Sequence, residues 1–191
     1  MIFHYIIHEI SAGRIVRSGS TSSESSFVWP DIDPTTHAML PIKADMKSQY
    51  IADGVAVDMG PRPSSDHVFD FQSKAWTLDL DAARSRAWLR VKTGRDQEIA
   101  SGVEYGGHIF ESDETSMQRM IISAYAVQDS PGAQIAWTLA DNSSVMLHAS
   151  DVINISSIMW NRFQGLFEKG QRLRRQIQTA TTQSQLEIIS W

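Results

Sequence analysis

One stretch of the chain, residues 151–180, repeats an apolar side chain every three or four positions and contains no proline. This spacing places the apolar side chains along one face of a single α-helix. At a rise of 1.5 Å per residue the helix is about 45 Å long, which is more than the core of the C-terminal half requires. We therefore predict one long helix, capped by Ser150, whose apolar face contacts a further element or another subunit. That face comprises Val152, Ile155, Met159, Phe163, Leu166, Gly170, Leu173, Ile177 and Ala180.

The first 80 residues alternate short β-prone segments with turn signals. An opening hairpin is predicted about Ser11-Ala12-Gly13. Asp53-Gly54 favours a two-residue turn with positive φ at both positions, and a third hairpin is expected about residues 72–74. We predict a small antiparallel β domain over residues 1–80 that acts as a docking domain. It includes a Ser/Pro-rich surface arm over residues 19–45.

Residues 81–100 change to a helix-forming composition with side chains repeating at three- and four-residue steps. They predict a helix that links the β domain to the rest of the chain. Gly94 lies inside this helix and weakens it by up to about 1 kcal/mol. We therefore expect a bend at this position.

Residues 101–191 predict a second domain that contains both hairpins and helices. Gly106-Gly107 between two short strands favours a tight turn, and Asp113 is a suitable N-cap for the helix that follows. A second hairpin precedes the long helix, and Thr182 with Gln185 forms a capping box for a short terminal helix. The predicted fold class is α+β: a small antiparallel β domain, a linker helix, and a C-terminal domain of two β-hairpins and helices.

The segment 101–114 concentrates a histidine and four acidic residues around the double glycine. These groups follow no established metal-binding motif, and a hairpin followed by a helix N-cap accounts for them. The chain also has no Gly-x-Ser-x-Gly motif and no phosphate-binding loop. We therefore expect no metal site, no cofactor, no catalytic residues and no enzymatic activity. The residues considered as possible metal ligands are Glu104, His108, Glu111, Asp113 and Glu114.

Composition limits the classes of partner. The chain has 191 residues, a formal net charge of −5 and no cysteine. Nucleic-acid-binding domains normally carry net positive charge, so we do not expect DNA or RNA as a partner. No apolar run approaches the roughly 18 residues of a membrane span, and the first residues lack the basic region of a signal peptide. We therefore expect no membrane span.

The tryptophans and the face of the long helix supply candidate contacts with other chains, because large aromatic side chains often anchor interfaces. Trp29 lies in the predicted arm, and Trp191 ends the sequence. The basic residues within 169–175 have two explanations, a solvated helix end or the rim of a subunit interface, and both remain open. The candidate interface residues are Trp29, Phe163, Leu166, Leu173, Ile177 and Trp191.

Several segments resemble tailed-bacteriophage tail-fibre and tail-assembly proteins. FDFQSKAWTLD is similar to a strand of those proteins that contains an aspartate, an aromatic residue and a tryptophan. RAWLRVK with Arg95-Asp96 is similar to the helix that follows that strand. GGHIFESDETSMQRM, AWTLADNSSVML and LRRQIQTATTQSQLEIISW are similar to an uncharacterised C-terminal domain of phage tail proteins. The resemblance covers residues 50–191. It matches the family pattern at Gly107, Asp113, Trp137-Thr138, Asp141-Asn142 and Ile177 to Thr181.

This resemblance implies a structural component of a phage tail, at the fibre or baseplate, with host attachment as a further role. The implied partners are fibre, baseplate or tail-tip subunits, and the implied location is the virion after synthesis in the host bacterial cytoplasm. Because tail fibres are commonly trimers, the resemblance favours a homo-oligomer of three chains. Two alternatives stay open: a tail-fibre assembly chaperone that is absent from the finished particle, and a module that binds host-surface glycan.

Overall fold

A computed structural model describes residues 2–22 and 30–191. The chain divides into two compact units, the first ending at Asp79 and the second comprising Leu80–Trp191. The first unit holds antiparallel β-strands, and the second holds two hairpins and the helices. The predicted α+β fold class is confirmed.

The first unit is built around a three-stranded antiparallel sheet. Its strands are β1 (Phe3–Glu9), β2 (Ile15–Thr21) and β3 (His37–Leu40), in the order β2-β1-β3. The central strand β1 buries four consecutive side chains, Tyr5 to His8. Ile6 packs with Ile15 and Ile51 to form the centre of this core.

Strand β3 lies within residues 19–45, which the sequence predicts to be a surface arm. The structure instead pairs residues 37–40 with β1 in an antiparallel register that joins Ile6 to Leu40. Since β1 is buried, the backbone N–H and C=O groups along its second edge need hydrogen-bond partners, and β3 supplies them. The candidate Trp29 lies outside the described residues.

Two further hairpins complete the first unit, β4 (Gln49–Ala52) with β5 (Val55–Asp58), and β6 (His67–Asp70) with β7 (Ala75–Leu78). The first has the predicted two-residue turn, with φ of 51° at Asp53 and 77° at Gly54. Their aromatic rings pack together, with centroids 5.1–5.4 Å from the ring of Phe69 to those of Tyr50, Phe71 and Trp76.

The second unit places its longest helix, α3, against both α1 and α2. Its core consists mainly of aliphatic side chains, methionines and Phe110. The elements are α1 (Leu80–Ala100), β8 (Val103–Tyr105), β9 (His108–Phe110), α2 (Glu114–Val127), β10 (Gln134–Thr138), β11 (Ser144–His148), α3 (Ala149–Thr179) and α4 (Gln183–Glu187).

Helix α1, predicted as a linker over residues 81–100, packs against α3 and α4 of the second unit. It buries Ala83, Ala87 and Val91. Gly94 does not interrupt the helix. A Cβ atom at this position would lie 2.4 Å from the Cβ of Trp191, so the glycine provides the space in which that side chain packs.

The long helix is confirmed, but its predicted N-cap at Ser150 is wrong. Helix α3 begins at Ala149 with His148 as the N-cap residue. The Asp151 carboxylate accepts a hydrogen bond from the His148 backbone N–H at 3.0 Å, which satisfies a donor that the helix itself leaves free. The apolar face is buried within the chain at Val152, Ile155, Met159, Leu166, Gly170 and Ile177.

The hairpin predicted about the double glycine is present. Tyr105 lies opposite His108, and Val103 lies opposite Phe110. Gly106 and Gly107 have φ values of 58° and 79°, which glycine adopts without the steric cost of a Cβ atom. The turn is therefore fixed by its two glycines.

Candidate functional site

An open groove of about 580 Å³ lies in the second unit, between the end of α1, the start of α2 and the middle of α3. Its volume is within the range of protein ligand sites, about 300–1,000 Å³. We call it the aromatic groove. It is lined by Arg95, Asp96, Ile99, Ala100, Asp113, Glu114, Met117, Gln118, Trp160, Phe163 and Phe167.

A row of three aromatic rings on α3 forms one wall of the aromatic groove. The ring centroids of Trp160 and Phe163 are 6.0 Å apart with nearly parallel planes, and those of Phe163 and Phe167 are 5.6 Å apart. Spacings of three and four residues along a helix bring these side chains together. Trp160 is 48% exposed and Phe167 is 41% exposed. A continuous aromatic surface is therefore open to contact.

The floor of the aromatic groove is apolar. Met117 belongs to the buried core, and Ile99 and Phe163 are half-buried beside it. Because these side chains offer no hydrogen-bond donors or acceptors except a weak thioether, the floor favours an apolar group over a hydroxyl-rich one.

The rim of the aromatic groove is charged. The Arg95 guanidinium lies 5.5 Å from the centre of the Phe167 ring and forms an ion pair with Asp96 at 2.8 Å. With three carboxylates and one guanidinium, the lining has a net charge of −2. An anionic ligand such as nucleic acid is therefore disfavoured here, and a cationic group is favoured.

Asp113 holds part of that negative charge as the N-cap of α2. Its carboxylate accepts hydrogen bonds from the backbone N–H groups of Thr115 at 2.9 Å and Ser116 at 3.2 Å. Hydrogen bonding by the Ser116 side chain, together with these backbone bonds, lowers the pKa of Asp113 below its ordinary value of 3.8. The Asp113 carboxylate is therefore ionised at neutral pH. Glu114 beside it is exposed, and no ion pair joins it to another described residue.

The acidic and histidine residues of segment 101–114 do not converge. Glu104 and His108 are exposed on the β8–β9 hairpin, whereas Asp113 caps α2. Within residues 2–22 and 30–191, no three His, Asp or Glu side chains are grouped so that they could hold a metal ion. None of the helices in these same ranges combines the length and the apolar character needed to cross a bilayer.

A model of the family described as a domain of unknown function, DUF4376, matches residues 82–190. The chain belongs to this family. No curated protein and no solved structure matches the chain. The DUF4376 domain includes nearly all of α1 and the whole of α2, α3 and α4, so every residue of the aromatic groove lies within it.

The DUF4376 domain places the sequence-predicted interface residues in three different environments. Phe163 lines the aromatic groove. Leu166 and Ile177 are 8% and 3% exposed, so their side chains pack within the chain. Leu173 is half-buried and lines a separate groove of about 350 Å³ beside α4.

Trp191 packs back onto the DUF4376 domain. Its indole N–H donates to the Glu98 carboxylate on α1, and the Lys169 ammonium lies 4.1 Å from the centre of its ring. Lys169 also forms an ion pair with Glu98 at 3.7 Å. The side chain is therefore held by α1 and α3 of its own chain.

Sequence reasoning did not select Trp160 and Phe167. Both lie beside the apolar face of α3 that predicts the helix, so the periodic pattern does not include them. Their seven-residue separation, with Phe163 between them, was the available signal, since such positions share one side of a helix.

Proposed function

We propose that the chain is a structural component of a bacteriophage tail, associated with the fibre or baseplate, and that it acts by binding protein chains through the aromatic groove. The observation that carries the proposal is the aromatic row Trp160–Phe163–Phe167, whose two outer rings are exposed, beside an apolar floor. Aromatic side chains in such positions commonly anchor protein interfaces. The phage-tail assignment rests on the resemblance over residues 50–191.

The energetic basis is burial of the aromatic row. Complete burial of a large apolar side chain is worth about 1.5–3 kcal/mol, and Trp160 and Phe167 each retain nearly half of their exposure. A protein segment that covers both rings therefore gains part of that burial free energy as binding free energy.

In this proposal the β-rich first unit docks on neighbouring tail subunits, and the DUF4376 domain forms the homo-oligomeric contact. The protein works in the virion, after synthesis in the host bacterial cytoplasm. The same groove would serve a tail-fibre assembly chaperone, which differs only in leaving before the particle is complete.

A host-surface glycan is a second candidate ligand, because an exposed tryptophan next to carboxylates can stack on a sugar ring and accept bonds from its hydroxyl groups. Trp160 and Glu114 both line the aromatic groove and supply such a ring and carboxylate. The apolar floor formed by Ile99, Met117 and Phe163 favours protein over sugar.

The test is an immunoblot of gradient-purified phage particles from a host that expresses the full chain. We expect the chain in the particles at a fixed ratio to tail subunits, and we expect Trp160→Ala with Phe167→Ala to reduce its incorporation severalfold. Tyr125→Ala removes a side chain that is 81% exposed outside the groove and is the matched control.

Three other outcomes separate the alternatives. A chain that binds fibre subunits in lysate but is missing from particles is a chaperone. Groove-dependent retention on a glycan array without binding to tail proteins identifies a glycan-binding module. Absence from particles and from every complex with tail subunits contradicts the proposal.

A further inference from the structure

We propose that the aromatic groove is occupied by α3 of a second copy of the chain, packed antiparallel across a two-fold axis near Phe167. The inference rests on the proposed function for its premise that the groove binds protein, and it names the partner. In this arrangement the aromatic row of one copy contacts the basic C-terminal part of α3 in the other copy.

The first support is a stripe of accessible side chains along α3. Trp160, Gln164, Phe167, Gln171 and Arg175 follow one another at steps of three or four residues, so they lie along one side of the helix. Gln164 is half-buried and the other four are exposed. This outer stripe is separate from the buried apolar face and is open to a partner helix.

The second support is the symmetry of that stripe. An antiparallel helix pair with a two-fold axis brings together positions at equal distances from the axis. With the axis between positions 167 and 168, Trp160 faces Arg175 of the second copy, and Gln164 faces Gln171. The two Phe167 rings then meet at the centre of the interface.

The third support is charge complementarity. The aromatic groove has a net charge of −2, and Arg175 is exposed. In the part of the chain that the structure describes, no ion pair joins the Arg175 side chain to an acid. The second copy would place this guanidinium beside Glu114 and over the open face of Trp160, which provides both an ion pair and a cation–π contact.

The Trp160 ring and the Arg175 guanidinium cannot contact each other within one chain. Trp160 and Arg175 belong to the same continuous helix, in which fifteen residues span about 22 Å. An arginine side chain cannot cover that distance. Arg175 can therefore reach the groove only from a second copy of this chain, which is the occupant that the charge complementarity favours.

The test uses the full chain and two charge reversals, Glu114→Lys and Arg175→Glu. We expect the unchanged chain to be a dimer by light scattering after size exclusion. Each reversal alone places like charges together at both ends of the interface, and we expect it to weaken the dimer by roughly tenfold or more. Both sites are exposed, and circular dichroism verifies that the variants remain folded.

Mixing the two variants is the decisive step. A two-fold heterodimer of Glu114→Lys with Arg175→Glu has opposite charges at both ends, one native pair and one reversed pair. We therefore expect the mixture to recover near-native dimerisation although each variant alone is mostly monomeric. Arg172→Glu makes the same charge change on the same helix outside the outer stripe and is expected to leave the dimer intact.

Several results would overturn the inference. They are a monomer or a trimer for the unchanged chain, a dimer that neither reversal weakens, a mixture that does not recover dimerisation, and a monomer that binds glycan at the groove. A monomer that nevertheless enters phage particles contradicts only the second-copy partner and leaves the tail function standing. A charge-dependent dimer that is absent from particles and tail complexes contradicts the tail function alone.

Discussion

Three arginines each donate to a carbonyl oxygen near the end of a helix other than their own. Arg84 reaches the Ala180 carbonyl after α3 at 2.9 Å, Arg90 reaches that of Leu186 in α4 at 3.0 Å, and Arg162 reaches that of Glu98 in α1 at 2.6 Å. The last carbonyls of a helix lack partners within it and carry partial negative charge. These arginines therefore fix how the helices meet.

Arg162 is the most connected of the three. Its guanidinium also donates to the Ser101 hydroxyl at 2.8 Å and to the Gly102 carbonyl. We expect Arg162→Ala to lower the free energy of unfolding by about 2–3 kcal/mol, because it leaves several acceptors without a charged donor. Arg162→Lys should recover only part of this loss, since an ammonium lacks the forked geometry. Urea unfolding followed by circular dichroism measures both.

Arg172→Ala is the control for Arg162→Ala. Arg172 is exposed on the same helix, so we expect its removal to change stability by less than about 0.5 kcal/mol. Equal losses for the two alanine variants would show that Arg162 contributes no more than a solvated surface charge.

At the scale of the helices, two glycines have opposite environments. A Cβ atom at Gly94 in α1 would lie 2.4 Å from the Cβ of Trp191, whereas a Cβ atom at Gly165 in α3 meets no described atom within 4 Å. Helix propensity alone favours alanine at both positions by up to about 1 kcal/mol. Packing reverses this preference only at Gly94.

We therefore expect the same substitution to change stability in opposite directions. Gly165→Ala should stabilise the chain by about 0.5–1 kcal/mol, and Gly94→Ala should destabilise it by about 1–3 kcal/mol because the C-terminal tryptophan must move. Thermal unfolding of the two variants measures the difference. A higher melting temperature for Gly94→Ala would mean that Trp191 does not pack against α1 as described.

Local pattern predicted the elements of this chain better than their contacts. The double glycine fixed one hairpin, and the apolar period of α3 fixed the long helix, because both signals depend on neighbouring residues. The space at Gly94 and the Arg162 contacts involve residues about 60 to 100 positions apart, which no local pattern encodes. Trp160 and Phe167 were missed for a related reason: they matter through the groove that α1 and α2 build beside them.

At the scale of the whole molecule, the second unit has its own core. Val103, Phe110, Met120, Val152 and Ile155 pack in one cluster that uses no residue of the first unit. Such a cluster is the usual requirement for independent folding. We infer that Leu80–Trp191 is a self-sufficient domain.

We expect the fragment Leu80–Trp191 to unfold cooperatively in urea when it is produced alone. Within it, Phe110→Ala should cost about 3–5 kcal/mol, because this fully buried ring leaves a cavity. Ile109→Ala, at a neighbouring position that is 55% exposed, should cost less than about 1 kcal/mol. A fragment without a cooperative transition would show that the second unit depends on the first.

The contacts between α1 and the residues after α3 have a consequence for how the protein is made. Arg84 and Arg90 each bind a carbonyl 96 positions later in the chain. At a synthesis rate of about 5–20 residues per second, α1 waits roughly 5–20 s on the ribosome before those partners emerge. During that interval the newborn domain exposes the surface that α4 and Trp191 later cover, and it can be captured by chaperones or by an identical nascent neighbour on the same messenger.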